Sequence, residues 1–489
     1  MLTDADGNPL AKGDEKIFTI SSSVPVPAGY HSYAFPMTVP ANTTVNIPVP
    51  DLDYGMNSYV LAIADADNTS AVVSSERASI SEDLSAFYNT EDPTYGLRLQ
   101  EARTMSNPIP DVSNGVARAS VNAAVVGDSR EFYINNIATS TSYPKNKITA
   151  TLAKASGNTV VYLDDAITDE NRETVAENVL SKFDNQIIQK VRNAFGNEPQ
   201  LGLDGESRIA IVLFKLPSGE TTAGYFSSAD LYPAQGSGDY RISNQCKAIY
   251  IKYGMADVTT FATLAHEFQH MVNYYQKNKT LQYSAQMVFE DTWLNEAMAK
   301  YSEEVCGFGM FDGDANTPAL INLSTANNNS LALTHWGEPT INNYGQVYLF
   351  GHFLAQPGRY NSDSNSVTQA IVNGNNGKSL GEANVANVTG EPFKETMAKW
   401  ALSCFMNNYG STSPNAYGIY NINLKGGTYS GIKLSGYTIE NITGSVSLSG
   451  MKKNAMRCFR KASAGDGDTT ITVSTGRQPI TLWCFDERK

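Results

Sequence analysis

The segment His266-Glu267-Phe268-Gln269-His270 combines residue types and spacing that could bind a metal and do chemistry. Two imidazoles that bind one metal ion must project from the same side of the backbone, and positions i and i+4 of an α-helix meet this condition. Glu267 would then project beside the metal, where a carboxylate can take a proton from metal-bound water and return it to a leaving amine. The pattern predicts His266 and His270 as Zn²⁺ ligands and Glu267 as the general base of a hydrolytic reaction.

The neighbouring residues predict the helix that this spacing requires. Apolar side chains recur there at helical period and form a stripe that the two histidines flank. The members of this stripe are Phe261, Leu264, Ala265, Phe268, Met271, Val272 and Tyr275. A plainer interpretation stays open, in which His266 and His270 are core or surface residues of an ordinary amphipathic helix.

A catalytic zinc ion takes three protein ligands and keeps one position open for water. The next acidic segment with helical character is 291–304, where Glu296, Lys300 and Glu303 share a face away from the apolar residues. The 25 residues between His270 and Glu296 suffice for a loop and the return of an antiparallel helix. We therefore predict Glu296 as the third ligand. A structural zinc site would instead favour four ligands rich in cysteine.

Three segments carry a resemblance to known peptidases. The Asn-Glu-x-x-Ala pattern at 295–299 resembles that of the gluzincins, and 293–303 is similar to a helix of thermolysin-fold aminopeptidases. Taken together, 266–275, 293–304 and 344–350 resemble the hyicolysin family of bacterial neutral metallopeptidases, over roughly residues 117–410. The resemblance implies a thermolysin-like catalytic fold.

The same resemblance implies particular roles for site residues. It assigns His266, His270 and Glu296 as zinc ligands and Glu267 as general base. Thermolysin has an aspartate four residues after its ligand glutamate to orient a histidine, whereas this chain has Lys300. We expect Glu303 to orient a ligand instead.

Tyr344 is the candidate donor to the oxyanion that develops during peptide hydrolysis. Its position after Glu296 and its Tyr-Gly-Gln context are similar to the tyrosine motif of aminopeptidases. Tyr348 and His352 follow one and two turns later on the same predicted helix. Aromatic residues at such spacing also commonly pack a core, so that alternative stays open.

The rest of the chain predicts a multidomain α+β protein. Short strands bounded by turns predict β-sandwich-like domains at 1–115 and 411–489, which flank a peptidase domain at 116–410. Within that domain we predict a helix over Asp169 to Phe195 and strands over Arg208 to Phe214 and Lys247 to Tyr253. The last strand is either an edge that aligns a peptide or an ordinary interior strand.

Composition excludes several classes of function. The formal net charge of -13 disfavours nucleic acids and anionic lipid surfaces as partners, and no apolar run reaches the about 20 residues that span a bilayer. The low charge and polar loops favour an exported bacterial protein, secreted or at the cell surface, whose export signal has been removed. Cys458 and Cys484 could form a disulfide, because both lie in strand-like runs.

We therefore expect a secreted zinc metallopeptidase that acts on peptides or proteins, and an endopeptidase in particular. An aminopeptidase of the same gluzincin fold is the alternative from the same class. A surface-binding or adhesive protein with a degenerate peptidase domain is the alternative from another class. The oligomeric state stays open.

Overall fold

The computed structural model describes residues 31–49, 56–65, 123–135, 145–215, 222–233, 243–280, 287–310, 332–336, 341–407, 419, 422–429, 431–434, 436–442, 445–463 and 469–487. The predicted domain boundaries at 115/116 and 410/411 lie outside the described residues. The described part is a mixed α and β structure with one large mixed sheet, a group of helices and a separate set of strands. The gluzincin fold itself stays a prediction.

The central sheet has six strands in the order β4-β5-β6-β7-β9-β8. Its strands are β4 (Ser129–Asn135), β5 (Lys145–Ala155), β6 (Thr159–Asp164), β7 (Ile209–Phe214), β8 (Gly224–Phe226) and β9 (Ala248–Lys252). Strands β6, β7 and β9 are parallel, and the pairs at both sides of them are antiparallel. The three parallel strands read as continuous apolar runs because each is buried on both faces.

The two faces of this sheet belong to different parts of the core. Ile209, Ile211 and Leu213 of β7 pack with the helices, whereas Ala210 and Val212 pack into a smaller cluster on the opposite face. This alternation is what the period of two in a strand dictates. The face that carries Ile209, Ile211 and Leu213 is therefore the one against which side chains of the helices pack.

The predicted helix 169–195 is confirmed as three consecutive helical segments. They are α1 (Arg172–Lys182), a π-helical turn (Phe183–Ile187) and α2 (Ile188–Phe195). The helix ends at Gly196, whose φ of 103° suits a residue without a side chain. The predicted strands at 208–214 and 247–253 are confirmed as β7 and β9.

The position of β9 decides between the two interpretations of that strand. It lies between β7 and β8, so the expectation that it forms a peptide-aligning edge is wrong and the interior alternative is right. The outermost strand on this side of the described sheet is β8, which pairs antiparallel with β9. With only three residues, β8 carries too short an alternation to be recognised in the sequence.

Six further helices complete the central region as described. They are α3 (Asp257–Asn278), α4 (Thr292–Cys306), α5 (Ile341–Leu354), α6 (Ser364–Gly377), α7 (Gly381–Thr389) and α8 (Phe393–Met406). Helices α3 and α4 pack closely, and the Ser302 hydroxyl donates to the Ala265 carbonyl across their interface at 3.0 Å. None of the helices in the described part has the length and apolar character needed to cross a membrane.

The remaining strands include several that pair the N-terminal with the C-terminal part of the chain. They are β1 (His31–Val39), β2 (Thr44–Val49), β3 (Asn57–Ala64), β10 (Thr428–Tyr429), β11 (Ile432–Lys433), β12 (Ile439–Asn441), β13 (Ser445–Leu448), β14 (Met456–Ala462), β15 (Thr469–Thr475) and β16 (Ile480–Asp486). One sheet has the order β1-β16-β3-β14-β12 and another the order β13-β15-β2. We call these two sheets the β unit.

The β unit differs from the predicted arrangement of two separate flanking β-domains. Its described strands from the N-terminal and C-terminal regions alternate within the same sheets, for example where β3 lies between β14 and β16. A local sequence pattern predicts strands but not partners more than 400 positions away, such as Asn57 and Glu487, which are 430 positions apart and share a hydrogen bond. The whole-chain domain boundaries stay a prediction.

The prediction that Cys458 and Cys484 could form a disulfide is wrong. Cys458 pairs with Leu61 and Cys484 with Val60, so β3 separates the two cysteines. Two strand spacings amount to about 9–10 Å. Cysteines cannot be bridged when their Cα atoms are more than about 7 Å apart.

Candidate metal centre

Helix α3 carries the His-Glu-x-x-His segment and places its three polar residues together. Ligand atoms of His266, Glu267 and His270 lie within 4.8 Å of one another. The stripe beginning at Phe261 holds this helix on the core, because most of its members are buried. The predicted motif helix is therefore present, with its histidines one turn apart.

Glu296 of α4 faces both histidines. Its Oε2 lies 3.0 Å from Nε2 of His266, and its Oε1 lies 3.4 Å from Nε2 of His270. The Glu296 carboxylate thus lies within 3.4 Å of a ring nitrogen of each histidine. This donor set fits Zn²⁺, which accepts imidazole nitrogen and carboxylate oxygen in a three-ligand catalytic site.

The charges of these groups depend on one another. Burial alone would raise the pKa of Glu296, but the charge of His270 and hydrogen bonds from both histidines hold that pKa well below its usual range. Burial alone would lower the pKa of His266, whereas hydrogen bonds to Glu296 and Glu303 raise it to about 10. A metal ion held by Nε2 of His266 would take the place of a proton on that nitrogen, because a metal binds the unprotonated nitrogen of imidazole.

Both histidines use their second ring nitrogen in a defined contact. Nδ1 of His266 lies 2.9 Å from Oε1 of Glu303, and Nδ1 of His270 lies 3.0 Å from Oδ1 of Asn295. When Nδ1 carries the proton, Nε2 is left to bind a metal. The structure thus places Glu303 against the ring of His266 as expected. It also places Asn295 against His270, and the sequence analysis had assigned Asn295 no role.

These contacts also show how the two helices are arranged. Along α3 the contacts advance from His266 to His270, while along α4 they move back from Glu303 to Asn295. The helices are therefore antiparallel, an arrangement for which the 25 residues between His270 and Glu296 suffice. The Asn273 amide also donates to Oδ1 of Asn295 at 2.8 Å, which orients that carboxamide toward His270.

Glu267 lies between the histidines and the edge of the sheet. Its side chain is buried, and its Oε2 accepts a hydrogen bond of 2.9 Å from the backbone N–H of Phe226 in β8. Sequence reasoning missed this contact, because nothing in the short run Gly224–Phe226 marks it as a strand. The predicted base is thereby next to the outermost described strand.

No protein-family model matches the chain. Among curated proteins, the chain is similar to the neutral metalloprotease ShpI of Staphylococcus hyicus, with 32% identity over 258 residues that cover 49% of this chain and 54% of that protein. The chain thus spans about half the length of the curated relative that it matches. This similarity supports a relationship to neutral metalloproteases.

Two solved structures show a weaker likeness. An aminopeptidase N family protein from Idiomarina loihiensis has 12% identity and a TM-score of 0.24, with 57% of this chain and 43% of that chain covered. A conserved protein of unknown function from Bacillus anthracis has 12% identity and a TM-score of 0.23, with 65% and 71% covered. Scores this low carry no argument about the fold or the activity.

Tyr344 lies on α5, as predicted, and is partly buried. Its ring packs edge-on against Trp336, with centroids 5.3 Å apart, and its centroid lies 6.0 Å from Nζ of Lys300. Lys300 in turn binds Glu303, so the ring of Tyr344 borders the group that supports His266. Its role as an oxyanion donor stays a prediction.

The two other aromatic candidates on α5 have contacts of a different kind. Tyr348 is fully buried and donates a 2.5 Å hydrogen bond to Oε2 of Glu304. His352 packs edge-on against both Tyr301 and Tyr348, and burial lowers its pKa to about 3. Because the ring is neutral at neutral pH, its approach of 3.9 Å to Glu304 is not a charge pair. These residues join α4 to α5.

Proposed function

We propose that this chain is a zinc-dependent peptidase of the gluzincin type, similar to the hyicolysin family. The observation that carries the proposal is the convergence of Nε2 of His266, Nε2 of His270 and the Glu296 carboxylate, with Glu267 beside them. Two imidazoles, one carboxylate and an adjacent second carboxylate are what hydrolytic zinc chemistry requires. The similarity to a neutral metalloprotease supports the same class of reaction.

Each residue of the site has a task in this proposal. When bound, zinc supplies a Lewis acid that polarises the substrate carbonyl and acidifies water. His266, His270 and Glu296 hold the metal, while Glu303 and Asn295 orient the two rings. Glu267 accepts the proton of the attacking water and delivers it to the amine that leaves as the peptide bond breaks. Tyr344 is proposed to stabilise the oxyanion.

The substrate is proposed to be a peptide or protein that is cleaved internally. Support comes from the short antiparallel strand β8, which lies outermost in the described sheet and contacts Glu267. Such an edge can align an extended peptide through main-chain hydrogen bonds. The sequence offers no acidic residue that can be assigned to a free substrate amine. Aminopeptidase activity is the alternative. We also propose that the protein is exported from the cell, and the amino-acid composition supports this proposal.

The decisive experiment compares the native protein with Glu267→Gln. The native protein should bind about one zinc per chain and cleave casein, and a chelator should abolish cleavage. Glu267→Gln should keep its zinc and lose activity by about 10²–10⁴-fold, because a general base contributes about that much. An N-blocked peptide that is still cleaved supports an endopeptidase, whereas cleavage of free dipeptides alone supports an aminopeptidase.

An adhesive protein with an idle site would behave differently. The full set of three ligands and Glu267 argues against this alternative, since a site without activity does not need the base. Native protein that takes up no zinc, or zinc-loaded protein that cleaves neither casein nor short peptides, would overturn the proposed peptidase. The proposed location is tested by measuring how much of the protein lies in the culture medium or at the surface of the source cells, compared with the cell interior.

A further inference from the structure

Lys300 places a buried positive charge close to the metal centre. It lies one turn before Glu303 on α4, and both residues are only 3% exposed. Its Nζ lies 2.7 Å from Oε1 and 2.8 Å from Oε2 of Glu303. A buried ammonium group is costly unless it is paired and hydrogen-bonded, so this geometry needs both carboxylate oxygens in place.

The carboxylate that Lys300 holds is the one that contacts a predicted ligand. Oε1 of Glu303 lies 2.9 Å from Nδ1 of His266, so this single oxygen faces both Lys300 and His266. A carboxylate held in this way can accept a hydrogen bond from the ring of His266.

Two contacts to one ammonium group also restrict rotation of the carboxylate. The last torsion of a glutamate is normally broad, so a carboxylate held through a single oxygen can turn. Lys300 removes this freedom by holding both oxygens, and it thereby fixes the direction of Oε1. The ring of Tyr344 lies on another side of the ammonium group, with its centroid 6.0 Å from Nζ.

We propose that Lys300 is a positioning residue of the metal centre, which holds Glu303 in the orientation that contacts Nδ1 of His266 and so keeps Nε2 directed at the metal. The inference rests on the proposed function, because it concerns the same zinc site. It goes further in giving a role to a residue that stands where thermolysin has an aspartate. In this chain Glu303 contacts the histidine, and Lys300 holds Glu303 in position.

A purely structural ion pair between Lys300 and Glu303 is the competing explanation. Such a pair would stabilise α4 without setting how His266 meets a metal. The two explanations differ in a property that can be measured, since only a positioning role makes zinc affinity and ligand geometry depend on Lys300. Loss of an outer contact to a metal-binding histidine typically weakens metal binding by about 10–100-fold.

The test uses Lys300→Met in the full chain, which keeps the length of the side chain and removes its charge. Zinc affinity is measured by competition with a coloured chelator, and the ligand geometry is followed by the visible absorption of Co²⁺ in the same site. We expect zinc to bind about 10–100-fold more weakly and the Co²⁺ spectrum to change. Lys300→Arg retains the charge and should restore most of the affinity.

The chain offers a matched control in Lys277→Met. Lys277 of α3 is 1% exposed, and its Nζ lies 2.9 Å from Oε2 of Glu290 in the segment before α4. None of the contacts that the structure describes for this pair involves a predicted ligand. This variant should lose stability while its zinc affinity and Co²⁺ spectrum stay native. If Lys300→Met does not fold, Lys300→Gln, which keeps a hydrogen-bond donor but removes the charge, takes its place and should show the same weakened binding.

The outcomes separate this inference from the proposed function. Native protein that binds no zinc overturns both. Native protein that binds zinc, together with a folded Lys300→Met protein of equal affinity and unchanged Co²⁺ spectrum, overturns the positioning role alone. A fall in zinc affinity for Lys277→Met as large as that for Lys300→Met would also overturn it, because the effect would then follow from lost stability.

Discussion

The backbone N–H of Phe226 donates a hydrogen bond of 2.9 Å to Oε2 of Glu267. This contact joins the outermost described strand of the central sheet to the residue proposed as general base. A displacement of β8 must therefore alter the surroundings of Glu267. The strand is accordingly a place where a distant substitution should affect the reaction.

Gly224→Ala tests this connection. A Cβ atom at Gly224 would lie 2.7 Å from the Tyr250 carbonyl and 2.8 Å from Cγ2 of Thr263, so β8 must shift away from β9 and α3. We expect a loss of about 1–3 kcal/mol in the free energy of unfolding. We also expect a lower kcat, because the contact from Phe226 is disturbed. Urea denaturation and peptide cleavage measure the two effects.

Gly157→Ala is the control for this substitution. No atom lies within 4 Å of a Cβ placed at Gly157, so this variant should keep native stability and activity. If Gly224→Ala kept native stability and native kcat, the predicted dependence of Glu267 on the position of β8 would be wrong.

Asn295 should contribute to metal affinity without binding the metal. Its Oδ1 lies 3.0 Å from Nδ1 of His270, and Asn295→Ala removes that acceptor. We expect zinc affinity to fall by about 10–100-fold, measured by competition with a chelator. Asn295→Asp retains an acceptor and should bind zinc more tightly than Asn295→Ala. Equal zinc affinity of native protein and Asn295→Ala would contradict this role.

Tyr344→Phe tests the proposed oxyanion donor. Loss of one such donor lowers kcat by about 10²–10³-fold, and we expect this fall with KM and zinc content unchanged. The ring contact with Trp336 remains in the variant, so stability should stay close to native. The measurement is steady-state cleavage of a fluorogenic peptide.

Tyr348→Phe is the matched control on the same helix. It removes the hydrogen bond to Glu304 and should cost about 1–3 kcal/mol of stability, with kcat close to native at a temperature where the variant is folded. If the two variants lower kcat equally, the effect comes from the packing of α5 and not from an oxyanion contact.

His352 should make stability depend on pH in the acidic range. Its pKa falls from 6.5 to about 3 on burial, so between these values the unfolded chain binds more protons than the folded protein. The contribution of this residue is complete above pH 6.5 and is lost as pH falls toward 3, by at most about 1.4 kcal/mol per pH unit.

His352→Phe isolates this contribution because it keeps an aromatic ring between Tyr301 and Tyr348. Urea denaturation with a chelator present, between about pH 6.5 and 5, should show a smaller decrease in stability for the variant than for the native protein. Parallel pH profiles would show that His352 does not remain neutral in the folded state.

The sequence was sufficient for the parts of the site that depend on local geometry. The spacing of His266 and His270 and the apolar stripe of α3 follow from helical period, and Glu296 with Glu303 follows from the face of α4. The contact between His270 and Asn295 was not predicted, because it depends on the distance between two helices. No pattern around Phe226 indicates a strand.

Long-range pairing accounts for most of the remaining differences in the fold. Strand β9 was recognised, but its interior position depends on β8, a neighbour with three residues. Cys458 and Cys484 both lie in strands, yet their separation depends on β3, which comes almost 400 positions before Cys458 in the chain. Period and composition carry no information about such partners.

The β unit has a consequence for how the protein is made. Asn57 and its partner Glu487 are 430 positions apart, and a ribosome adds about 5–20 residues each second, so β3 waits on the order of half a minute for its neighbours. During that interval its unpaired edges are open to wrong associations between nascent chains. Slower translation, or a high concentration of nascent chains, should therefore cause the β unit to misfold first. The helices of the candidate metal centre are closer together in the sequence, so they can assemble before the last strands emerge.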